Sequence, residues 1–526
     1  MTLHRRTLLA TAAATLAAPS IGRAQSASTL RYIPYADLAV LDPIVTTNYV
    51  TREHGQMVFD TLYGLDEKLN VRPQMVEGHS IENNGLLWKL TLRPGLKFHD
   101  NTPVLARDVV ASLKRWAQRD AFGSALFDAT DELSAPSDNV VQFRLKRPFP
   151  LLPEALGKPT SYIPVIMPER LASLPPTQQV KEMVGSGPYS FVANERVPGA
   201  LAVYRKFDGY VPRSDAASFT AGARIAHFDR IEWHTIADAG TAAAALQAGE
   251  MDWWEQPNID LLAALRKSGK IKIDVVETAG LIGQIRFNHL LPPFDNPAFC
   301  RALMSAVDQR EMMTAVAGDE PGIWRDKVGI FTPGTPSASD AGMELITGPK
   351  NLAASKKAIE AAGYKGDKIV FLAGTDVPRI NAICQVMYDL CQKLGLNVDY
   401  VATDWGTVIQ RILTQKPIDQ GGWSMHGIFS GGLDFSSPAY HLAARGNGKA
   451  GVPSWLSDPA IEEKRNAWFA AEDAATQKQL AADIQRLALN DGAYATCGLY
   501  YQPTAYRSDL TGMQKGLPLF TGVKRA

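Results

Sequence analysis

The residues best suited to chemistry lie in one stretch in the last fifth of the chain, GGWSMHGIFSGGLDFSSPAYH, residues 421–441. The stretch is rich in glycine and aromatic residues, and Asp434 is its only acid. Its spacing has neither helical nor strand periodicity, which predicts a loop. Loops of this composition usually contact another molecule. We therefore expect this stretch to contact a ligand, with Phe429 among the contacts.

Further candidates follow a predicted pair of strands. The apolar run IVFLAG begins at Ile369, a helical pattern extends over residues 378–394, and the strand-like LNVDYVA comes next. This order predicts a β-α-β unit with parallel strands. Ligands bind beyond the carboxyl ends of such strands, where Asp376 and Trp405 fall. Trp405 is therefore a candidate ligand contact.

A second unit of the same kind precedes it by about 130 residues, within the usual size of a domain. RIEWHTI at residues 230–236 alternates like a strand, an alanine-rich helical run covers residues 239–248, and MDWWEQP resumes extended structure. Two such units predict two lobes, each with its own sheet. Trp253 and Trp254 lie at a strand end. Both are candidate ligand residues, and we expect one to pack inside the fold and the other to line the cleft.

Two other regions have residue patterns that differ from these β-α-β units. Residues 64–182 combine hairpin signals with a helical pattern from Arg107 to Arg119, which predicts a separate α+β module. Near the C-terminus, Asp458 and Pro459 are a typical helix start, and the pattern predicts one long helix to Leu489.

Signatures of an enzyme or a metal site are missing from the sequence. It contains no G-x-S-x-G nucleophile pattern and no H-E-x-x-H zinc pair. His426 and His441 stand singly in the stretch at 421–441, and a metal there would need a third ligand that we cannot identify. We predict no catalytic residue, metal or cofactor. An exported hydrolase stays an alternative interpretation of the protein's function.

The N-terminal residues and the overall charge indicate where the protein works. Arg5 and Arg6 precede a short apolar run that ends at Ala24, which predicts an export signal of the twin-arginine type. The first of four cysteines is Cys300, so the signal has no cysteine to carry a lipid, and we expect all four as free thiols. The formal net charge is +0, which argues against a nucleic-acid partner. These features predict a periplasmic, monomeric protein without a lipid anchor.

Several motifs resemble, in order, those of the family 5 extracellular solute-binding proteins, the peptide-binding components of ABC importers. They are VRPQMVEGHSIENNGLLWKLTLRPGLKFHDNTPVLARDVVASLKRW from Val71, GSGPYSF from Gly185, ALQAGEMD from residue 245 and NHLLPPFDNPAFCRALMSAVDQREM from Asn288. The chain departs from the family at Leu105, where the family usually has a helix-capping residue. Together the motifs span nearly the whole chain after the export signal.

The resemblance implies an α/β fold of two lobes, the cluster C type of periplasmic binding protein, with the α+β module inserted in lobe I. The implied divisions are an export signal at 1–24, lobe I at 25–63, its inserted subdomain at 64–182, its middle part at 183–286, lobe II at 287–494, and the last part of lobe I at 495–526. The chain would cross between lobes near Phe287 and Tyr494, and hinge motion there would close the lobes on a ligand.

The family also implies roles for individual residues. Its G-W-x-A-D-Y-x-D-P motif corresponds to Trp423 and to LDFSSP, so Asp434 takes the place of the aspartate that pairs with a peptide ammonium group. The segment SMHGIFSGG between them departs from the family. Asn48 and Tyr49 correspond to a segment that reaches ligand in relatives.

The resemblance implies a receptor that delivers a peptide or peptide-like solute to ABC permease subunits at the inner membrane. A sugar, an opine or a metal chelate stays open as the ligand. The partner of a ligand carboxylate also stays open among Arg325, Arg379 and Arg445.

Overall fold

The computed structural model describes residues 28–320 and 322–526, and the predicted export signal at 1–24 lies outside this range. The strands are β1 Thr29–Ile33, β2 Tyr63–Leu65, β3 Val71–Pro73, β4 Val76–Glu82, β5 Leu87–Leu92, β6 Thr130–Ser137, β7 Val140–Leu145, β8 Tyr189–Phe191, β9 Leu201–Lys206, β10 Arg230–His234, β11 Trp253–Trp254, β12 Ile271–Asp274, β13 Leu281–Phe287, β14 Trp324–Arg325, β15 Ile369–Gly374, β16 Val398–Thr403, β17 Met425–Gly431, β18 Tyr494–Tyr500, β19 Thr504–Arg507, β20 Leu510–Thr511 and β21 Lys524–Arg525.

Helices cover both faces of the larger sheets. They are α1 Tyr49–Val58, α2 Ala106–Ala117, α3 Ala121–Ala129, α4 Leu152–Leu156, α5 Glu169–Ala172, α6 Ala239–Ala248, α7 Leu262–Lys267, α8 Pro297–Ala306, α9 Gln309–Ala317, α10 Glu344–Thr347, α11 Leu352–Ala361, α12 Pro378–Leu394, α13 Trp405–Arg411, α14 Pro459–Ala470 and α15 Ala474–Asp491. Among the described residues, no helix is both long and apolar enough to cross a membrane.

The first sheet has seven strands in the order β12-β19-β11-β1-β10-β9-β8. Its central strand β1 pairs in parallel with β10 and β11, and helix α6 connects those two strands. The predicted β-α-β unit at 230–254 is therefore confirmed. This sheet combines strands from the start, the middle and the end of the chain. We call it, together with the module described next, lobe I.

The module inserted in lobe I contains a four-stranded antiparallel sheet, β4-β5-β7-β6. Helix α2 packs against β6 and β7 of this sheet. At the start of α2 the carboxylate of Asp108 accepts a hydrogen bond from the Leu105 N–H at 2.8 Å. The Leu105 side chain has no acceptor for the free N–H groups of the first turn, so the only side-chain capping bond here is the one to Asp108.

The second sheet has six strands in the order β14-β18-β13-β17-β15-β16, and we call this part of the chain lobe II. Strands β15 and β16 pair in parallel and are joined by α12, as predicted. The predicted long C-terminal helix is wrong in one respect. The first helix ends at Ala470, and Asp473 caps the start of a second helix by accepting a hydrogen bond from the Thr476 N–H.

The chain passes between the two sheets at residues 275–280 and 501–503, because β12 and β19 belong to the first sheet and β13 and β18 to the second. These passages lie one strand away from Phe287 and Tyr494, where the sequence predicted the crossings. Both of those residues belong to central strands of the second sheet. The precise domain divisions stay predictions.

Candidate functional site

A cavity of about 830 Å³ lies between the two lobes. Lobe I contributes Tyr35, Asn48, Tyr49, Trp254 and Gln256 to its walls, among others. Lobe II contributes Arg286, Arg379, Trp405, Phe429 and Asp434. The volume is typical of a site for a small molecule. The cavity therefore brings together six of the eight residues that the sequence selected as ligand contacts.

The stretch at 421–441 is organised differently from the predicted loop. Met425–Gly431 forms strand β17, which lies between β13 and β15 in the second sheet. A side-chain carbon added at Gly427 would lie 2.4 Å from Cys384 Sγ, and one at Gly432 would lie 1.9 Å from a backbone oxygen of Ala279. The glycines thus permit close packing of a buried strand. The segment SMHGIFSGG is mainly strand, and Asp434 lies in the 3-10 turn Gly432–Phe435 that follows it.

Asp434 is connected to lobe I through Tyr49. The hydroxyl of Tyr49 donates a hydrogen bond to Asp434 Oδ2 at 2.6 Å and accepts one from Gly431 N–H at 2.6 Å. Burial, together with the adjacent Asp434 carboxylate, raises the pKa of Tyr49 well above its usual value, so the hydroxyl stays protonated. Tyr49 is the first residue of α1, and Asn48 before it is exposed at the cavity. Tyr49 therefore links the two lobes directly at the candidate ligand aspartate.

Two half-buried guanidinium groups also line the lobe II wall. Arg286 on β13 donates from Nε to Gln284 Oε1 at 3.0 Å and from Nη2 to Ser430 Oγ at 3.3 Å. Arg379, in the first turn of α12, donates to Gln256 Oε1 of lobe I at 3.4 Å. Burial lowers the pKa of both arginines. Of the three arginines considered from the sequence, Arg379 is the one that lines the cavity.

The other two arginines have different surroundings. Arg445 forms an ion pair with Glu462 at 2.7 Å, and Arg325 lies on the edge strand β14. Neither is among the cavity-lining residues. Their positions give no support to a role in binding a ligand carboxylate.

Aromatic side chains supply the apolar part of the cavity. Trp405 begins α13, and its backbone N–H donates to Asp376 Oδ1 at 2.8 Å. Phe429 lies on β17, and Trp254 is nearly buried at the end of β11. These three rings line the cavity on both lobes, and flat aromatic surfaces favour burial of apolar ligand groups.

Trp423 and Trp253 were also predicted to contact ligand, but neither lines the cavity. Trp423 is 0 % exposed, packs on Trp455 and donates from Nε1 to Ile412 O at 3.1 Å. Trp253 packs against Tyr32 and donates to Thr504 Oγ1 at 2.7 Å. Both indole groups are enclosed with their N–H satisfied, so in this structure they pack as core residues outside the cavity. Within the Trp253 and Trp254 pair, Trp253 packs inside the fold and Trp254 lines the cavity.

A group of buried acids beneath the cavity was missed by the sequence reasoning. Arg52 lies 3.6 Å from both Glu53 and Glu277, and its guanidinium lies 4.5 Å from the centre of the Tyr49 ring. Glu255 accepts the Tyr35 N–H at 2.7 Å. Burial raises the pKa of Glu255 to about 7 and also raises the pKa of Glu53 and Glu277. The sequence carried one signal, the consecutive charged residues Arg52 and Glu53 in helix α1, where every residue from Val50 to Val58 is buried.

The two histidines of the stretch at 421–441 are buried within lobe II. His441 Nε2 lies 3.0 Å from both Ile330 O and Tyr494 Oη, and His426 pairs in register with Arg286. Burial lowers the pKa of each to about 3, which keeps both neutral. Over residues 28–320 and 322–526, no group of three or more His, Cys, Asp or Glu side chains could hold a metal ion. The four cysteines are buried free thiols.

Comparison with known proteins agrees with this architecture. The model of the family described as "Bacterial extracellular solute-binding proteins, family 5 Middle" matches residues 70–448. The "Probable peptide ABC transporter periplasmic-binding protein y4tO" of Sinorhizobium fredii is 31% identical over 536 residues, covering 100% of both chains. The "Glutathione-binding protein GsiB" of Pectobacterium atrosepticum is 24% identical, covering 85% of this chain and 83% of that protein.

Solved structures share the fold. A periplasmic binding protein DppA from Helicobacter pylori, in complex with the peptide STSA, has a TM-score of 0.77 at 19% identity and covers 96% of this chain and 100% of its own. AgaA from A. tumefacien R10, in complex with agropinic acid, has a TM-score of 0.78 at 20% identity, with 95% and 99% covered. The expected two-lobed α/β fold is confirmed by this similarity.

Proposed function

Because the chain belongs to the family 5 bacterial extracellular solute-binding proteins, we propose that it is the receptor of an ABC-type importer and binds a small peptide or peptide-like solute between its lobes. The name of the relative from Sinorhizobium fredii supports a peptide ligand, and the name of the relative from Pectobacterium atrosepticum supports a tripeptide of the glutathione type. The receptor would release its ligand to permease subunits of the inner membrane.

The observation that carries this proposal is the position of Asp434. Its carboxylate faces a cavity that aromatic, polar and charged side chains line together. Oδ2 is held by Tyr49, while Oδ1 receives no hydrogen bond from the described residues. A peptide ammonium group at Oδ1 would form a charge-assisted hydrogen bond that strengthens as closure excludes water. Asp434 is therefore the proposed anchor for the ligand amine.

The remaining cavity residues have supporting roles in this proposal. Trp254, Trp405 and Phe429 would cover apolar parts of the peptide, and Asn48 would contact its polar backbone. Tyr49 would act through Asp434 by fixing the orientation of its carboxylate. We propose no catalytic role for any of these residues, and the protein would act by binding and closure. The export signal supports a periplasmic location.

The first experiment is a thermal-shift screen of the mature protein with di- to tetrapeptides, their N-acetylated forms, sugars and opines. We expect peptides with a free amine to raise the melting temperature and acetylated peptides to leave it almost unchanged. A shift with sugars alone would overturn the peptide proposal. Turnover of a bound peptide that is lost in the Asp434→Asn variant would favour an exported hydrolase instead.

Isothermal titration then tests Asp434 itself. Asp434→Asn should weaken binding of the free-amine peptide by about 1.5–3 kcal/mol, the range for a hydrogen bond to a charged group. Asp376→Asn is the matched control, because Asp376 also lines the cavity but is occupied by the Trp405 N–H. Equal losses in the two variants would argue against a specific ammonium site at Asp434.

A further inference from the structure

Arg286 and Arg379 are half-buried and, unlike the buried Arg115 and Arg224, have no acidic partner. Arg115 lies 2.7 Å from Asp42, and Arg224 lies 2.9 Å from Asp60. In the part of the chain that the structure describes, no carboxylate oxygen lies within 4.0 Å of the Arg286 or Arg379 guanidinium. Both groups instead donate to neutral oxygens, and Nε of Arg379 has no hydrogen-bond partner among those residues.

A cation that is partly removed from water without gaining an anion is destabilised, because it has lost hydration without gaining an opposite charge. Arg52 provides an internal comparison. Burial alone would lower the pKa of Arg52, but Glu277 and Glu53 raise it above the usual guanidinium value. The pKa of Arg286 and of Arg379 is lowered, because the groups around them do not compensate for burial. A ligand is the natural source of the missing anions, since both guanidinium groups face the cavity.

The other charged side chains of the cavity wall do not supply this compensation. Lys158 and Asp120 form an ion pair with each other. Asp376 accepts from the start of α13, and the guanidinium of Arg119 lies 5.6 Å from the centre of the Tyr162 ring. The lobe II groups left for a ligand are one carboxylate, Asp434, and two guanidinium groups on different elements. Arg119 of lobe I also lacks an acidic partner among the described residues, and its Nε makes no hydrogen bond to them.

We propose that Arg286 and Arg379 each bind a carboxylate of the ligand, so that the substrate class is acidic peptides with one ammonium group and at least two carboxylates. This inference rests on the proposed function and adds the charge of the peptide to it. The N-terminal end of α12 adds positive potential beside Arg379. A planar guanidinium group can hold a carboxylate through two parallel hydrogen bonds, which gives direction as well as affinity.

The test compares peptides that differ by a single charge. Isothermal titration would use pairs of di- and tripeptides in which one Glu is exchanged for Gln, such as Ala-Glu with Ala-Gln and Glu-Ala with Gln-Ala. We expect the Glu peptide of at least one pair to bind about tenfold or more tightly. Arg286→Gln or Arg379→Gln should reduce that preference to about twofold or less, and the corresponding Lys variants should restore part of it.

Two matched variants separate ligand recognition from folding. Arg445→Gln removes an arginine that pairs with Glu462 outside the cavity, and it should keep the full preference for Glu peptides. Arg115→Gln leaves Asp42 buried without its partner and should lower the melting temperature of the free protein. Arg286→Gln and Arg379→Gln should not lower it, because they remove an uncompensated charge.

The outcomes distinguish this inference from the proposed function. Equal binding of Glu and Gln peptides by the wild-type protein would overturn the acidic-peptide inference and leave peptide binding intact. If no peptide binds, the proposed function fails. A dicarboxylate probe such as glutarate would then still test the two arginines, and its failure to bind, or binding unaffected by both Gln variants, would overturn the inference as well.

Discussion

The contact between Tyr49 and Asp434 leads to a prediction about closure of the lobes. Tyr49→Phe removes a single hydroxyl that donates to Asp434 Oδ2 of lobe II and accepts from Gly431 N–H of lobe II, each at 2.6 Å. Both bonds exist only when the lobes are together. We therefore expect the change to destabilise the closed form and to weaken ligand binding.

The magnitude follows from the two bonds. A hydrogen bond to a charged group contributes about 1.5–3 kcal/mol, and a neutral one about 0.5–1.5 kcal/mol. Water regains access to these groups when the lobes open, so we take about 2 kcal/mol as the combined loss. This value corresponds to a roughly 30-fold increase in Kd. The loss should appear mainly as faster ligand release, because these contacts form on closure.

The assay is isothermal titration with the tightest peptide from the screen, combined with stopped-flow measurement of release. Tyr35→Phe is the matched control, since Tyr35 also lines the cavity but its hydroxyl accepts only from Val50 N–H of the same lobe, at 3.4 Å. We expect less than a threefold change for it. In the double variant with Asp434→Asn, the two losses should be clearly less than additive.

Unchanged or tighter binding by Tyr49→Phe would refute this reasoning. Tighter binding would mean that Tyr49 competes with the ligand amine for the Asp434 carboxylate instead of orienting it. Additive losses in the double variant would mean that the hydroxyl acts independently of Asp434.

Three further predictions concern residues around the cavity. Trp423→Phe should lower the free energy of unfolding by about 1–3 kcal/mol, because it removes the hydrogen bond to Ile412 O and leaves space in the core. Calorimetric unfolding measures this loss, and titration should show a ligand Kd within about twofold of the wild type. A roughly tenfold loss of affinity would instead place Trp423 in the ligand site. The buried carboxyl of Glu255 keeps its proton to about pH 7, whereas the unfolded chain loses it near 4.5, so its contribution to stability falls as pH rises between these values. The melting temperature should therefore drop more from pH 5 to 7.5 in the wild type than in Glu255→Gln, and equal drops would contradict the assignment. Gly427→Ala should lower the melting temperature, because the new methyl group would lie 2.4 Å from Cys384 Sγ on helix α12. An unchanged melting temperature would mean that α12 can move away from strand β17 at little cost.

The sequence was sufficient wherever local pattern and tertiary environment agree. Both β-α-β units were predicted, at residues 230–254 and 369–403, because their strands are short alternating or apolar runs and their helices have regular spacing and glycine at the C-cap. The resemblance of the motifs to the family predicted the two-lobed fold. The position of Asp434 in the cavity also agrees with its place in a motif.

Prediction from the sequence was poorest for strand β17 and for the break between helices α14 and α15. A fully enclosed strand needs no alternation of polar and apolar residues, and the glycines of residues 427–432 are there to admit Cys384 and Ala279. The break between α14 and α15 was missed because amphipathic spacing continues on either side of Asp473, whose capping bond is a local detail. A pattern of residue types cannot distinguish these cases from a loop or from one long helix.

The sequence alone therefore indicated the fold, the family and a short set of candidate residues, because those depend on local propensity and on the order of motifs. Only tertiary packing could separate Trp254 from Trp253 and exclude Trp423, since burial depends on which elements lie on each side of a ring. The same holds for charges. Arg52, Arg286 and Arg379 are alike in sequence, but the folded chain surrounds the first with carboxylates and leaves the other two facing the cavity.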